Sequence, residues 1–153
     1  MNTSFILIIL LSYMVGSISG GVLIGKIRNV DIRKKGSKAA GATNAFRTMG
    51  ALFALSVLII DVYKGYFATY YIPNLFLNET TYLAKSLAGF SAIIGHVYPL
   101  YFKFKGGKGV GTALGTLFAF PQFHFPAAIG FVSWCINLLI TGFVSLGSII
   151  AGI

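Results

Sequence analysis

Acidic side chains are almost missing from this chain: its 153 residues hold 3 Asp or Glu against 12 Lys or Arg, and charged residues make up only 10% of it. A soluble domain spends roughly 25% of its residues on charge, so this shortage excludes an ordinary water-coated globule. Cysteine is as scarce, with Cys135 alone in an apolar stretch, which excludes an intrachain disulfide and a multi-cysteine metal site. Long polar tracts and a sustained heptad are lacking too. Disorder, a coiled coil and, despite the formal net charge of +9, a soluble nucleic-acid binder are thereby disfavoured. What fills the sequence is apolar: 56% of the residues are hydrophobic and the mean hydropathy is +0.83. Lipid is the expected solvent.

The apolar segments predict an all-α, polytopic transmembrane helical bundle, with residues 1–153 as a single integral-membrane domain. Met1 to Gly25 is free of charge and long enough to cross a bilayer, which takes about 20 apolar residues. A second span is expected from about Met49 to Ile72 and a third from about Leu83 to Phe102. From Gly109 to Ile153 there is again no charge, and the stretch is too long for one pass. Pro121 and Pro126, flanking Gln122 and His124, predict a turn after a short fourth helix. A fifth helix then runs to about Ile140, with a bend at Thr141 to Ser148 and the start of a sixth.

The charges orient this bundle. Lys26, Arg28, Arg33, Lys34, Lys35, Lys38 and Arg47 fall in one interhelical segment beside Asp31, and Lys103, Lys105 and Lys108 in another. Two helices separate these segments, so both lie on one side, and basic loops stay in the cytoplasm. The N-terminus is expected outside.

Two loops rich in Lys, Arg and Gly suit an anion at the membrane face. In Lys105-Gly106-Gly107-Lys108-Gly109, glycines allow backbone N–H groups to form a concave nest while lysines supply charge. The loop also opens a helix, whose first N–H groups favour negative charge. It matches neither a Walker A loop nor GxGxxG, so no nucleotide is implied. Gly107, Gly111 and Gly115 also have the spacing of a packing seam; the last two are assigned to packing and the first to both roles. The second loop element, Gly36 to Arg47, offers Ser37, Thr43 and Asn44. Either Thr43 or Asn44 is a natural helix cap. Arg47 provides a planar fork for phosphate or an interface anchor.

Asp61 and Lys64, at i and i+3, are expected to form an ion pair that shapes the bundle. His96 ends the third helix and serves as a proton acceptor or an orienting hydrogen-bond group. Gly16, Gly20, Gly21 and Gly25 have the small-xxx-small spacing of close helix packing. No metal-ligand cluster is recognisable, and neither a metal nor a cofactor is expected.

The order Gly16-Ser17-Ile18, Gly36-Ser37, Gly41-Ala42-Thr43-Asn44 with Arg47, Asp61-Val-Tyr-Lys64-Gly65, Gly95-His96 with Pro99, and Phe104-Lys105-Gly106-Gly107-Lys108-Gly109 resembles the bacterial acyl-phosphate:glycerol-3-phosphate acyltransferases of the PlsY type. The resemblance runs from Val15 to about Ile150. It implies an enzyme of the bacterial inner membrane that makes 1-acyl-glycerol 3-phosphate, the first step of phospholipid synthesis. The partners it implies are glycerol 3-phosphate, a fatty acyl phosphate and membrane lipids, with no nucleic acid.

By similarity, Ser37 and Arg47 carry over as activity-critical residues, with Thr43 and Asn44 in the same substrate loop. Lys108 and the flanking Lys105, Gly106, Gly107 and Gly109 carry over as the phosphate-binding loop, and Ser148 as a further site-lining hydroxyl. The chain departs from the family pattern at Lys38-Ala39, where Gly-Asn is usual, at Ser19, where Pro is usual, and near Gly142, where a basic residue is usual. Family members also continue through further helices, so this chain is expected to be C-terminally shortened, as a fragment or an inactive lipid-binding relative. A rival reading from the charges alone is a small ion or solute transporter component whose path uses Asp61, Lys64 and His96.

Overall fold

The computed structural model describes residues 3–141. Within them the chain forms seven helices and three 3-10 turns, with no strand among the described residues. It divides into two compact units, Met1–Ala119 and Phe120–Ile153.

The first unit contains α1 (Thr3–Gly16), α2 (Gly20–Ile27), α3 (Ala42–Met49), α4 (Ala51–Phe76), α5 (Tyr82–Val97) and α6 (Val110–Phe118). Among the described residues α4 alone is clearly long and apolar enough to cross a membrane, and the bent pair α1 and α2 passes the same test together. α1 packs on α5 and α4, and α6 packs on α4. The sorting of side chains by size gives the reason for these contacts. Ala68, Ala84, Ala88 and Ala92 are fully buried, while Leu52, Leu75 and Phe90 are 72%, 70% and 63% exposed. Lipid tails are as apolar as leucine, so a membrane bundle gains by placing small residues where backbones approach and large ones outside.

Glycines set the closest crossings. A methyl on Gly16 would collide with the Ala92 carbonyl, and one on Gly95 with the Tyr13 carbonyl, which brings α1 against α5. Gly65 is likewise closed by the Thr112 carbonyl and Gly115 by the Val62 carbonyl, which locks α4 on α6. Gly111 departs from the expected seam: a methyl there would meet only ordinary contacts, at 3.4 Å from Asp61 Cβ and 3.5 Å from Leu58 Cδ1.

Several boundaries differ from the sequence reading. The first span is not one helix but two, bent by 40° across residues 17–19. Ser19 turns away from the helix and accepts from the Val22 amide as the cap of α2. The second span starts later than expected because Gly50, at φ +86°, separates it from α3, and it runs on to Phe76. The third stops at Val97, ahead of Pro99, since the residue before a proline is pushed out of the helical region; a 3-10 turn covers Leu100–Phe102. α6 spans 9 residues, which at about 1.5 Å per residue is roughly half the thickness of a hydrocarbon core.

The second unit begins with a 3-10 turn at Pro121–Phe123 and continues as α7 (His124–Thr141). Pro126 lies inside the first turn of α7, where its missing N–H would have no intrahelical partner anyway. The expected bend after Thr141, and Ser148 with it, lie outside the described residues.

Candidate active site

The two basic loops meet. The Ala40 amide donates to the Gly106 carbonyl at 3.1 Å, joining the loop before α3 to the loop before α6. On the same seam, Lys26 Nζ and the Arg33 guanidinium sit 5.9 and 5.8 Å from the centre of the Phe102 ring.

Asn44 builds the first loop. It is buried, its Oδ1 accepts from the Ser37 amide at 2.9 Å, and its Nδ2 donates to the carbonyls of Ile32, Lys35 and Ala39 at 2.9, 3.1 and 2.9 Å. This corrects the capping expectation: α3 starts at Ala42 with Gly41 as its uncapped N-cap residue, so Thr43 and Asn44 are both inside the helix. Asn44 is committed to the loop backbone, where its short amide satisfies groups that lack a ladder. Asp31 fastens the other end of the loop, accepting from Arg33 Nε and Nη2 at 3.0 and 3.1 Å. That charged bond from the Arg33 side chain holds the Asp31 carboxyl below the usual carboxylate range. Lys38 takes φ +61°, in the left-handed region. This is the position where the resembling family usually has Gly, for which that conformation carries no steric cost.

The second loop is held by its own turns. The Phe104 amide donates to the Pro99 carbonyl at 3.0 Å, and the Gly107 amide to the His96 carbonyl at 3.2 Å. Gly107 also lies flat against His96: a methyl there would strike Nε2, and the same point is 3.3 Å from the Gly41 nitrogen. Gly109 takes φ +80° as the N-cap residue of α6 and, like Gly41, offers that helix no side-chain cap. The junction therefore gathers two helix starts with spare N–H groups, His96, and the Gly106-Gly107 bend.

Ser37, Arg47, Lys105 and Lys108 are exposed, and none of these three cations is within ion-pair distance of a carboxylate among the described residues. Thr43 is half-buried in the first turn of α3. Unpaired cations around spare N–H groups suit an anion, with electrostatic attraction from the side chains and geometry from the backbone.

Beneath the junction lies a polar cluster that the sequence reading assembled only in part. The expected pair is present, with Lys64 Nζ 3.1 Å from Asp61 Oδ1. Its attachments were not foreseen. Asp61 Oδ1 also accepts from the Gly20 amide at 3.3 Å, Lys64 Nζ donates to the Ile18 carbonyl at 2.5 Å, and His96 Nδ1 stands 3.5 Å from Asp61 Oδ1. The pair thus satisfies backbone groups freed by the break between α1 and α2. The i, i+3 spacing signalled the pair, but nothing local in the sequence signals the link to His96.

A family model described as glycerol-3-phosphate acyltransferase matches residues 6–153. The chain belongs to the glycerol-3-phosphate acyltransferase family. Among the curated relatives of this acyltransferase, the glycerol-3-phosphate acyltransferase of Bacillus subtilis is 42% identical over 148 residues, covering 96% of this chain and 74% of the relative. That of Photobacterium profundum is 41% identical over 154 residues, covering 100% and 73%. Two crystal structures of PlsY, an integral membrane glycerol 3-phosphate acyltransferase, share the fold. The glycerol 3-phosphate form superposes with a TM-score of 0.83 at 36% identity over 97% of this chain and 72% of that one. The lysophosphatidic acid form gives 0.81 at 35% identity, over 97% and 71%. This acyltransferase is accordingly an integral membrane protein.

Proposed function

We propose that the chain transfers a fatty acyl group from acyl phosphate to glycerol 3-phosphate, giving 1-acyl-glycerol 3-phosphate and inorganic phosphate. The observation that carries this reading is the junction itself: two uncapped helix starts, at Gly41 and Gly109, are tied together by the Ala40–Gly106 hydrogen bond. Unpaired Arg47, Lys105 and Lys108 lie on the same loops and on α3. Both substrates are phosphorylated, and a site of this kind receives phosphate.

The chemistry asks little more. An acyl phosphate is a mixed anhydride with a good leaving group, so positioning the glycerol hydroxyl and neutralising two phosphates supply most of the catalysis. In this reading Lys105, Lys108 and the Gly106, Gly107 and Gly109 backbone hold phosphate, and Ser37, Thr43 and Arg47 complete the site. Asn44 acts through the loop it builds, and Ser148 enters by family resemblance. The hydroxyl oxygen attacks the carbonyl carbon directly, the C–O bond to phosphate breaks, and the proton leaves to His96 or to a substrate phosphate. No acyl-enzyme forms. The transporter alternative is weaker, because Asp61 and Lys64 are paired with each other and tied to the Gly20 amide and the Ile18 carbonyl.

We further propose the bacterial inner membrane as its location, with the N-terminus outside and the basic loops in the cytoplasm, on the charge asymmetry. Labelling of single cysteines from either side of oriented vesicles, in a Cys135→Ala background, tests this: Lys38→Cys and Lys105→Cys should react from the cytoplasmic side and Glu79→Cys from the other. For the activity, purified protein is supplied with labelled glycerol 3-phosphate and a long-chain acyl phosphate. Product should form and fall by about 100-fold or more in Lys108→Ala and in Arg47→Ala. A folded wild-type protein that makes no product overturns the proposal.

A further inference from the structure

We propose that Asp61 is a positioning residue for His96, directing the ring proton to Nδ1 and leaving the lone pair on Nε2, turned to the Gly107 and Gly41 side of the cradle. The inference deepens the acyltransferase reading and rests on it only for the catalytic consequence.

The geometry is two-ended. His96 and Asp61 are 4% and 2% exposed, so water does not choose the tautomer. His96 Nδ1 has no hydrogen-bond partner among the described residues, and the acceptor it faces is Asp61 Oδ1, at 3.5 Å. An ionised carboxylate only accepts, which puts the proton on the nitrogen that faces it. That separation is longer than a formed hydrogen bond, and catalytic hydrogen bonds commonly tighten only when substrate is bound.

Asp61 is itself held from several sides. The Gly20 amide donates to its Oδ1, and Lys64 is fixed in turn by the Ile18 carbonyl. At its other end, His96 lies where a Gly107 side chain would be, and its own carbonyl accepts from the Gly107 amide at 3.2 Å. Ring and main chain are therefore registered to one loop residue. With Nδ1 protonated, Nε2 is the nitrogen free to accept the proton of an attacking hydroxyl. A carboxylate that orients an imidazole in this way controls catalysis without touching substrate.

The test is a two-bond proton–nitrogen correlation spectrum of the intact protein, labelled with nitrogen-15 histidine, in lipid nanodiscs at pH 8. The chain has 2 histidines, and His124→Gln assigns the signals. The wild type should show His96 as the neutral Nδ1–H tautomer. An Nε2–H tautomer or an imidazolium in the wild type overturns the proposal, whatever the enzyme's activity.

Asp61→Ala should lose that preference. Its kcat should fall by about 100-fold while KM for glycerol 3-phosphate stays within about threefold, the signature of a contribution made in the transition state. Asp61→Asn, which keeps an acceptor oxygen under the Gly20 amide, should retain the Nδ1–H tautomer and recover at least a tenth of kcat, on the order expected for an oriented but less strongly polarised base. A merely structural Asp61 would lower melting temperature in both variants and leave the tautomer unchanged, which overturns the proposal. If Asp61→Ala does not fold, the double variant Asp61→Leu with Lys64→Met, which removes the carboxylate together with the cation it pairs, should lose the Nδ1–H preference; keeping it there overturns the proposal. The Nδ1–H tautomer in a protein that makes no product would sink the acyltransferase reading and leave this one standing.

Discussion

The Ala40 amide and the Gly106 carbonyl, 3.1 Å apart, make the stitch that joins two separate basic loops. Close beside it, Gly107 lies against the imidazole of His96 and near the Gly41 nitrogen. The consequence is close packing at Gly107, where a single methyl displaces a catalytic candidate.

Gly107→Ala therefore should cost activity far more than stability. The added carbon overlaps His96 Nε2, and a shift of about 1 Å in a reacting group is enough to lose on the order of 100-fold in rate. Gly111→Ala is the control, since its methyl meets only ordinary contacts and should leave turnover near wild type. Steady-state kinetics of the two variants at equal folded fraction check both statements. Comparable losses in the two would mean that the cradle is not as tight as its geometry indicates.

Lys38→Gly should stabilise the protein. Lys38 is exposed and sits at φ +61°, a conformation that costs a side-chain-bearing residue about 1–2 kcal/mol. Part of that gain is offset by the freer unfolded chain of glycine, leaving a net gain on the order of 0.5–1 kcal/mol. Lys38→Ala keeps the strain and should show no such rise in melting temperature. Thermal unfolding in detergent compares the two directly.

Lys64→Met should be severely destabilising. It leaves Asp61 ionised and buried, an arrangement that costs on the order of 3–5 kcal/mol when one partner of a buried pair is lost. It also strands the Ile18 carbonyl. Replacing both partners, in Asp61→Leu with Lys64→Met, should recover much of the melting temperature, because an apolar pair needs no compensation. Activity should stay low in the double variant. Melting curves and turnover of the same samples separate the two effects.

The loop before α3 should loosen in acid. The Asp31 carboxyl is held below the usual carboxylate range by its Arg33 partner, so its contribution is complete above the ordinary aspartate range and is lost as pH falls through its lower folded value. Limited proteolysis between Lys34 and Lys38 should differ between wild type and Asp31→Asn near neutral pH. The two rates should converge as pH drops below the ordinary carboxylate range. A difference that persists in strong acid would contradict this account.

Much of the architecture was legible in one dimension because hydropathy and charge are themselves one-dimensional signals. The charge-free run before Lys26 and the two clusters of Lys and Arg marked the apolar helices and the two basic loops that meet in the fold, without reference to any contact. The break between α1 and α2 was not legible, since Ser17 and Ser19 become helix ends only when Lys64 and Asp61 arrive to satisfy the freed backbone. Asn44 was misread for a similar reason. As a cap it would be recognised locally, but its actual partners at Ile32, Lys35, Ser37 and Ala39 belong to a loop whose path no periodicity describes. His96 stands out in the sequence, whereas its approach to Asp61 depends on how α4 and α5 cross.

The bond from Lys64 to the Ile18 carbonyl also imposes an order of assembly. A nascent chain emerges from its N-terminus, so the interrupted first span reaches the bilayer well before the ribosome has made the residue that completes it. Until α4 follows, Ile18 must borrow a donor from water, the insertion machinery or a chaperone. During synthesis the segment from α1 to α2 is thus tenable only in company.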